Sequence, residues 1–397
     1  MLAVAEAQHI VLRYARPLPP EPLAVGPDLL GLALAEPVQA ERDSPPFDKS
    51  MVDGYALALG PGQTSRFLVV EEVMAGQVPS RLLGPGEACR IMTGAPVPAG
   101  TSAVVMVEQT ESVGDEVLVQ TAVRPGQNIL KQASEMSSGA EVLRPGQPLR
   151  PAVLGLLASL GRTHVSVFRR PIVAILATGD ELVEAGESPG PGQILNSNTP
   201  LLAGLTHSQH GRPHTLGIAR DTRESLHRHL AFGLEADVLL ISGGVSAGKL
   251  DLVPEVLVEL QVEVHFHKVA MKPGKPLLFG TRDSTLVFGL PGNPVSSLVG
   301  FELFVRPVLR RLRGLEPALV PPVRAQVTTE LQHRSDRPTW YPAVVAPRGS
   351  GWEARPLPWQ GSADLRALAG ATGLIQLPAG ELTLPAGAEV EAVLLAD

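Results

Sequence analysis

PIVAILATG, residues 171–179, is an uninterrupted apolar run closed by glycine. A strand buried on one face alternates apolar and polar residues. A run without alternation is the mark of a strand covered on both faces, as in a parallel sheet. The downstream chain agrees. Helical spacing at 197–208 is followed by a strand at 214–218, a helix at 222–232, a strand at 237–241 and a helix at 251–260. Strands near 264–269, 276–279 and 285–288 then lead into a helical pattern from Val295 to Leu312. Strands alternating with helices of this length define an open α/β sheet, in which ligands bind beyond the carboxyl ends of the strands.

The loops at those ends carry the chemistry. LATGDEL, Leu176 to Leu182, sets Gly179, Asp180 and Glu181 after the buried strand. SGGVSAG, Ser242 to Gly248, does the same after ADVLLI, with Asp251 closing it; Ser242, Gly243, Gly244 and Ser246 let an anion approach backbone amides. LPGNP, Leu290 to Pro294, opens the last helix; Pro291 and Pro294 stiffen the turn, and a strand ending in such a turn is expected to present free amides. Of the six lysines in the chain, Lys268, Lys272 and Lys275 crowd into eight residues just upstream, in and before KPGK. Asp180, Glu181, Asp221 and Asp251 are carboxylates able to hold Mg²⁺ or another hard cation beside a phosphate, or, for Asp221 and Asp251, to cap helices. No P-loop, GxGxxG or HExxH pattern is present.

Outward from this centre the texture changes. Residues 3–14 read as an amphipathic helix, 28–35 as a second short helix ending near Pro37, and 148–160 as a helix stopped by Gly161. Between Phe47 and Thr121 short alternating runs, among them Arg66–Val70 and Ala103–Glu108, are split by Gly/Pro turns, a β-rich module. Within it Asp53 sits in the SMVDGYA turn, and Thr93 stands at the entry of the RIMTGAPVPAG loop. Gly126–Gly139 reads as a loop. Beyond Pro317, Pro321 and Pro322, candidate strands at 326–331, 340–345, 374–377 and 390–395 fit a small β-barrel or sandwich; Trp340, Trp352 and Trp359 there fit packing roles.

At 397 residues the chain exceeds one ordinary core. A net charge of −7 without a basic tract argues against a general nucleic-acid partner. Cys89 is the only cysteine, so intrachain disulfides and cysteine-zinc clusters are excluded, and its apolar neighbours make it a core residue. No apolar run approaches membrane-spanning length, and the amino terminus lacks a signal-peptide pattern; the expected location is the cytoplasm. The histidine pair His207 and His210 reads as a surface feature.

LATGDEL, SGGVSAG, MKPGKP and GLPGNPVSS in this order, with SMVDGYA and RIMTGAPVPAG before them and ATGLIQLP after, resemble the molybdopterin molybdenumtransferases, the bacterial molybdenum-insertion enzymes and the E domain of gephyrin. The resemblance covers nearly the whole chain. It implies an α/β multidomain fold: a molybdopterin-binding α/β domain with an open, mostly parallel sheet (171–316), a β-rich domain (46–137), a discontinuous mixed linking domain (1–45 with 138–170) and a C-terminal β-barrel-like domain (317–397). It implies hydrolysis of adenylylated molybdopterin, insertion of molybdate into the dithiolene, release of AMP and a divalent cation such as Mg²⁺. It further implies a homodimer with a cleft shared between subunits, working beside a molybdopterin adenylyltransferase and molybdoenzymes. Carried over by residue, catalytic or metal-binding roles fall on Asp53, Asp180, Glu181, Asp221 and Asp251. Ligand-binding roles fall on Thr93, Lys268, Lys272 and Lys275, with Pro291 and Pro294 shaping the pocket and Ser362 of WQGSADL contributing from the last domain. Two positions depart from the pattern: Glu135 stands where many members have aspartate, and Lys249 where many have an acidic or small residue. Adenylylation of molybdopterin by the same α/β domain, or a gephyrin-like scaffold, are the competing readings.

Overall fold

The computed structural model describes residues 1–62, 65–245 and 252–395. The chain forms two compact units, one comprising Met1–Ala35, Pro145–Leu154 and Thr163–Asp397, the other Glu36–Arg144 and Gly155–Arg162.

The larger unit is built around a six-stranded sheet ordered Arg212–Ala219, Ile172–Thr178, Val238–Ser242, Thr285–Leu290, Pro276–Arg282, Glu263–Lys268. The first four strands run parallel and the last two pairings are antiparallel. The unbroken apolar run at 172–178 is explained by its two cores. Val173 and Ile175 point to one side, with Leu202 of helix Asn198–Ser208, Phe288, Val299 and the amino-terminal residues Ala7 and Val11. Ala174 and Leu176 point to the other, with Leu226 and Leu230 of helix Arg223–Gly233 and Val253, Val256 and Leu257 of helix Val253–Glu259. Each of the Val, Ile, Leu and Phe side chains among them, fully buried, stabilises the fold by about 1.5–3 kcal/mol relative to exposure.

The helical run after LPGNP has three parts: α-helix Pro294–Gly300, a π-helical turn Phe301–Val305 and α-helix Arg306–Leu312. Pro307 has no amide proton for the carbonyl of Leu303, and Gln8 Nε2 donates to that oxygen instead at 2.9 Å. This bond ties helix Val4–Tyr14 to the α/β core.

A closed barrel of strands Val323–Val327, Gly351–Pro356, Thr339–Arg348, Gly373–Leu377 and Glu389–Leu394 belongs to the same unit. The expected strand at 326–331 instead spans a break: the barrel strand ends at Val327, and Leu331–Ser335 pairs with Gly380–Leu384 in a separate ribbon. The short helix expected at 28–35 is also corrected. Only a single 3₁₀ turn, Pro27–Leu29, forms; Gly31 takes φ +78°, and Ala33 and Leu34 leave as bridge partners of Pro148 and Val167. The apolar spacing there marks burial of Leu29, Leu32, Ala33 and Leu34 without a helix. Pro148 accordingly lies outside the next helix, which runs Pro151–Ser159.

The smaller unit holds a second six-stranded sheet, ordered Ala103–Met106, Gly54–Leu57, Glu87–Ile91, Arg66–Val73, Glu116–Val119, Thr110–Val113. Cys89 is buried in it, its thiol pushed up to about 12 mainly by burial, which makes it an inert core residue.

Candidate functional site

Topology alone gathers the sequence motifs. The four parallel strands bring their carboxyl ends to one edge, at Ala219, Thr178, Ser242 and Leu290. Pro276–Arg282 runs against Thr285–Leu290, so its amino end reaches the same edge, and Lys268 lies opposite Pro276 there. The charged loops thus stand in spatial order: Asp221 and Glu181 follow the first two strands, the glycines and prolines occupy the centre, and Lys272 and Lys275 precede the fifth. Four inter-strand spacings separate the first strand from the fifth, roughly 19 Å at about 4.8 Å each.

A cavity of about 970 Å³ opens at this edge. It is lined by Gly179, Glu181, Asp221, Ser242, Gly243, Gly244, Lys272, Lys275, Pro291, Pro294 and Ser362, every one of them anticipated from the sequence. Lys268 is not among the lining residues; it borders a shallow hollow with Met1, Leu2 and His267. Asp180 is not among them either. Its Oδ1 accepts from the Asp221 amide at 3.2 Å and its carbonyl accepts from Arg220 Nη1 at 3.1 Å, so it joins two loops at the acidic end. Ser246, Lys249 and Asp251 lie outside the described residues. Among the described residues, no group of three His, Cys, Asp or Glu side chains is placed to hold a metal ion.

The glycine motifs have steric causes. At Gly243, φ +95°, a Cβ would stand 2.6 Å from the Thr178 carbonyl oxygen; at Gly244, φ +65°, it would stand 2.7 Å from both Thr178 Oγ1 and Val253 Cγ2. Gly179, φ +148°, lies under the Glu181 carboxylate, whose atoms would meet a Cβ at 2.5–2.7 Å. Among the described residues that exposed carboxylate shows no hydrogen bond or ion pair.

The LPGNP turn departs from expectation in one respect. Its helix start offers fewer amides than the sequence suggests: Pro294 has none, Val295 N–H donates to the Ser362 carbonyl at 3.0 Å, and Ser297 N–H donates to Asn293 O at 3.0 Å. Asn293 Nδ2 also donates to Ser362 Oγ at 2.9 Å, so Ser362 clamps a barrel loop onto the turn. The KPGK loop is fixed to the barrel as well. Lys272 N–H donates to Pro338 O, and Trp340 N–H donates to Lys272 O, each at 2.9 Å.

Three of the lining residues that sequence reasoning missed bear on the chemistry. Asn198 is buried; its Nδ2 donates to Ser242 Oγ and to Gly292 O, both at 2.7 Å, bracing the central glycine and proline loops together. Its position at the start of helix Asn198–Ser208 was a readable signal. Arg337 reaches the cavity from the barrel and holds the Asp336 carboxyl below its usual range through a 3.0 Å bond; an Arg before Pro338 gives no such signal in sequence. Trp359 also lines the cavity, whereas Trp340 is core.

Asp53, Thr93 and Glu135 belong to the smaller unit. Asp53 Oδ1 accepts from both Thr93 N–H and Thr93 Oγ1 at 2.7 Å, and these bonds lower its pKa. The DG step is obligatory: a Cβ at Gly54 would lie 1.8 Å from Val105 O. Glu135 accepts from Ser44 Oγ at 2.7 Å and faces Lys49 at 3.9 Å. Of the expected surface pair, His207 is exposed, but His210 is half-buried and its ring fills the space over Gly31; His265 stacks on Tyr14 with centroids 4.2 Å apart.

A doubly covered α/β sheet with an acidic and a basic loop cluster at its carboxyl edge, walled by a carboxy-terminal barrel, defines a multidomain α/β protein with one charged cavity at the strand ends. Family profiles place it further. Residues 2–161 match the MoeA N-terminal region (domain I and II), 174–311 a probable molybdopterin binding domain, and 324–395 the MoeA C-terminal region (domain IV). The chain is 36% identical to a molybdopterin molybdenumtransferase of Nostoc, covering 91% of this chain and 85% of that one. It is 33% identical to one of Staphylococcus aureus, covering 91% and 88%. The solved molybdopterin biosynthesis MoeA protein of Pyrococcus horikoshii superposes with a TM-score of 0.84 at 32% identity over 100% of both chains. The chain belongs to the molybdopterin molybdenumtransferase family.

Proposed function

We propose that this protein is a molybdopterin molybdenumtransferase, taking molybdopterin in adenylylated form and molybdate as substrates and releasing AMP and molybdenum cofactor. The observation that carries the reading is the single cavity with carboxylates at one end, steric glycines in the middle and three cations, Lys272, Lys275 and Arg337, at the other. Molybdate and phosphates are anions, and the cations supply charge and hydrogen-bond donors to them. The central loop can approach closely because Gly243 and Gly244 carry no side chain.

Mg²⁺ fits the acidic end. The ion is ordinarily held by one or two carboxylates together with substrate phosphates, and Glu181 and Asp221 line the cavity there. Those two residues would hold it, with Asp180 fixing the loop that carries Asp221. Bound there, the ion would offset charge on the phosphoanhydride during its hydrolysis. Glu181, Asp221 and the lysines thereby orient an elongated substrate along the sheet edge, with Ser362 and Asn293 keeping the barrel wall closed on it. A cytoplasmic location and a homodimeric state are part of this proposal; among the described residues no helix is long and apolar enough to cross a membrane. Sedimentation tests the dimer.

The enzymatic test incubates the protein with adenylylated molybdopterin, molybdate and Mg²⁺ and quantifies AMP and metallated pterin together. Release of both in equal amounts supports the reading. Consumption of ATP with unadenylylated molybdopterin, and no AMP from the preformed adenylate, would overturn it.

A further inference from the structure

We infer that Trp359 is a stacking platform for a planar nitrogen heterocycle of the ligand, and so a specificity-determining residue of this site. The inference rests on the reading of the cavity given above and extends it to the ring portion of the substrate, which charge alone does not select.

Trp359 is half-buried and lines the cavity together with Lys272, Lys275, Arg337 and Ser362. Among the described lining residues it is the one aromatic side chain. Its ring is held before any ligand arrives. The indole Nε1–H donates to the carbonyl of Gly361, and the Tyr341 ring packs T-shaped against it, with centroids 5.2 Å apart and an interplanar angle of 85°. The loop that carries it is closed by Asp364, whose Oδ2 accepts from the Gln360 amide and whose Oδ1 accepts from the Ala367 amide, both at 3.1 Å. The Asp364 amide in turn donates to Gly361 O at 3.1 Å. Gly361 takes φ +130°, a conformation that disfavours other residues. An indole whose polar edge is already satisfied and whose rotation is fixed has only its π-surface to offer. Such a surface binds another flat ring at little ordering cost.

The neighbouring cations specify which rings. A heterocycle reaching Trp359 arrives beside groups that take phosphate, so it is one joined to phosphate by a short link. The adenine of the adenylyl group and the pterin both meet that description, and the experiment separates them.

Titration calorimetry with AMP, with a phosphate-free pterin and with ribose 5-phosphate is run on wild type, Trp359→Leu and Trp359→Phe. Melting temperature is recorded for each, to confirm folding. Loss of one base–aromatic stack corresponds to roughly a 5- to 150-fold weaker Kd. Trp359→Leu is expected to show that loss for AMP or for the pterin, whichever ring it holds, and to bind ribose 5-phosphate within about twofold of wild type. Trp359→Phe is expected to recover most of the affinity, and AMP, if adenine is the partner, to quench wild-type indole emission but not that of Trp359→Phe. Unchanged binding of both ring-bearing ligands by Trp359→Leu would overturn the inference while leaving the proposed function intact. So would an equal loss for ribose 5-phosphate. Failure of wild type to bind any of the three would overturn both.

Discussion

Replacing Gly244 by alanine tests whether the central loop is shaped by steric exclusion. The backbone there has φ +65°, inside the left-handed region, where an L-residue costs about 1–2 kcal/mol. The added Cβ would stand 2.7 Å from Thr178 Oγ1 and 2.7 Å from Val253 Cγ2, both held in the packed interior. Overpacking of that kind costs about 1–3 kcal/mol. The two together predict a loss of about 2–5 kcal/mol, a drop in melting temperature of roughly 4–10 °C for a unit of this size. Calorimetric melting of the single variant and of a cycle with Thr178→Ala reads both effects. Among the described residues Thr178 Oγ1 is buried without a hydrogen-bond partner, so Thr178→Ala alone is expected to cost little. In the double variant one of the two clashes is gone, and a coupling of about 0.5–3 kcal/mol in the favourable direction is expected. Strict additivity would refute the steric argument, because it would mean that the loop moves aside and the glycine is not required by Thr178.

Further outcomes follow from the same geometry. Glu181→Gln is expected to reduce turnover by at least about tenfold while shifting the melting temperature little, since that carboxylate is exposed and has no bonding partner among the described residues; equal loss of stability and activity contradicts its assignment to the site. Lys272→Gln combined with Lys275→Gln is expected to weaken AMP and molybdate binding and to flatten the dependence of AMP affinity on ionic strength, read by calorimetry at two salt concentrations. Glu302→Ala is expected to destabilise the protein by about 1–3 kcal/mol, because it removes the buried carboxylate that half-buried Arg306 bonds at 2.7 Å and leaves Arg306 Nη1 with the Leu394 carbonyl; Glu302→Gln is expected to cost less. Asp53 has a folded-state pKa below its ordinary value, so its bonds to Thr93 contribute stability above about pH 4 that is lost as pH falls through the lowered value. Asp53→Asn is expected to remove that part of the acid dependence, measured as melting temperature against pH.

The α/β unit was legible because its signals are local. An apolar run such as 172–178, a Thr222 side chain accepting from Ser225 N–H at a helix start, and a glycine at a strand end each act within a few residues. The lining residues Glu181, Gly243, Gly244, Lys272 and Lys275 were legible for the same reason: topology sends every such loop to one edge. What escaped depends on contacts distant in sequence. Arg337 enters the cavity because the barrel docks on the KPGK loop through Lys272, 65 positions away. Trp359 is there because Ser362 bonds Asn293 and Val295. The amides at Val295 and Ser297 are occupied for reasons no local pattern announces. The apolar residues at 28–35 mimic a helix because they are buried against the distant segments at 148 and 167. Lys268 shares the sheet edge with the other lysines yet borders a different hollow, beside Met1 and Leu2 from the far end of the sequence.

The most direct measurement is a crystal structure of the protein grown with AMP, molybdate and Mg²⁺. The phosphate or the oxyanion should lie against Lys272, Lys275 and the Gly243–Gly244 turn, with the cation on the acidic side of that turn, held by Glu181 and Asp221. Anions bound elsewhere while these lysines stay solvated, or a cation seated away from both carboxylates, would contradict the account.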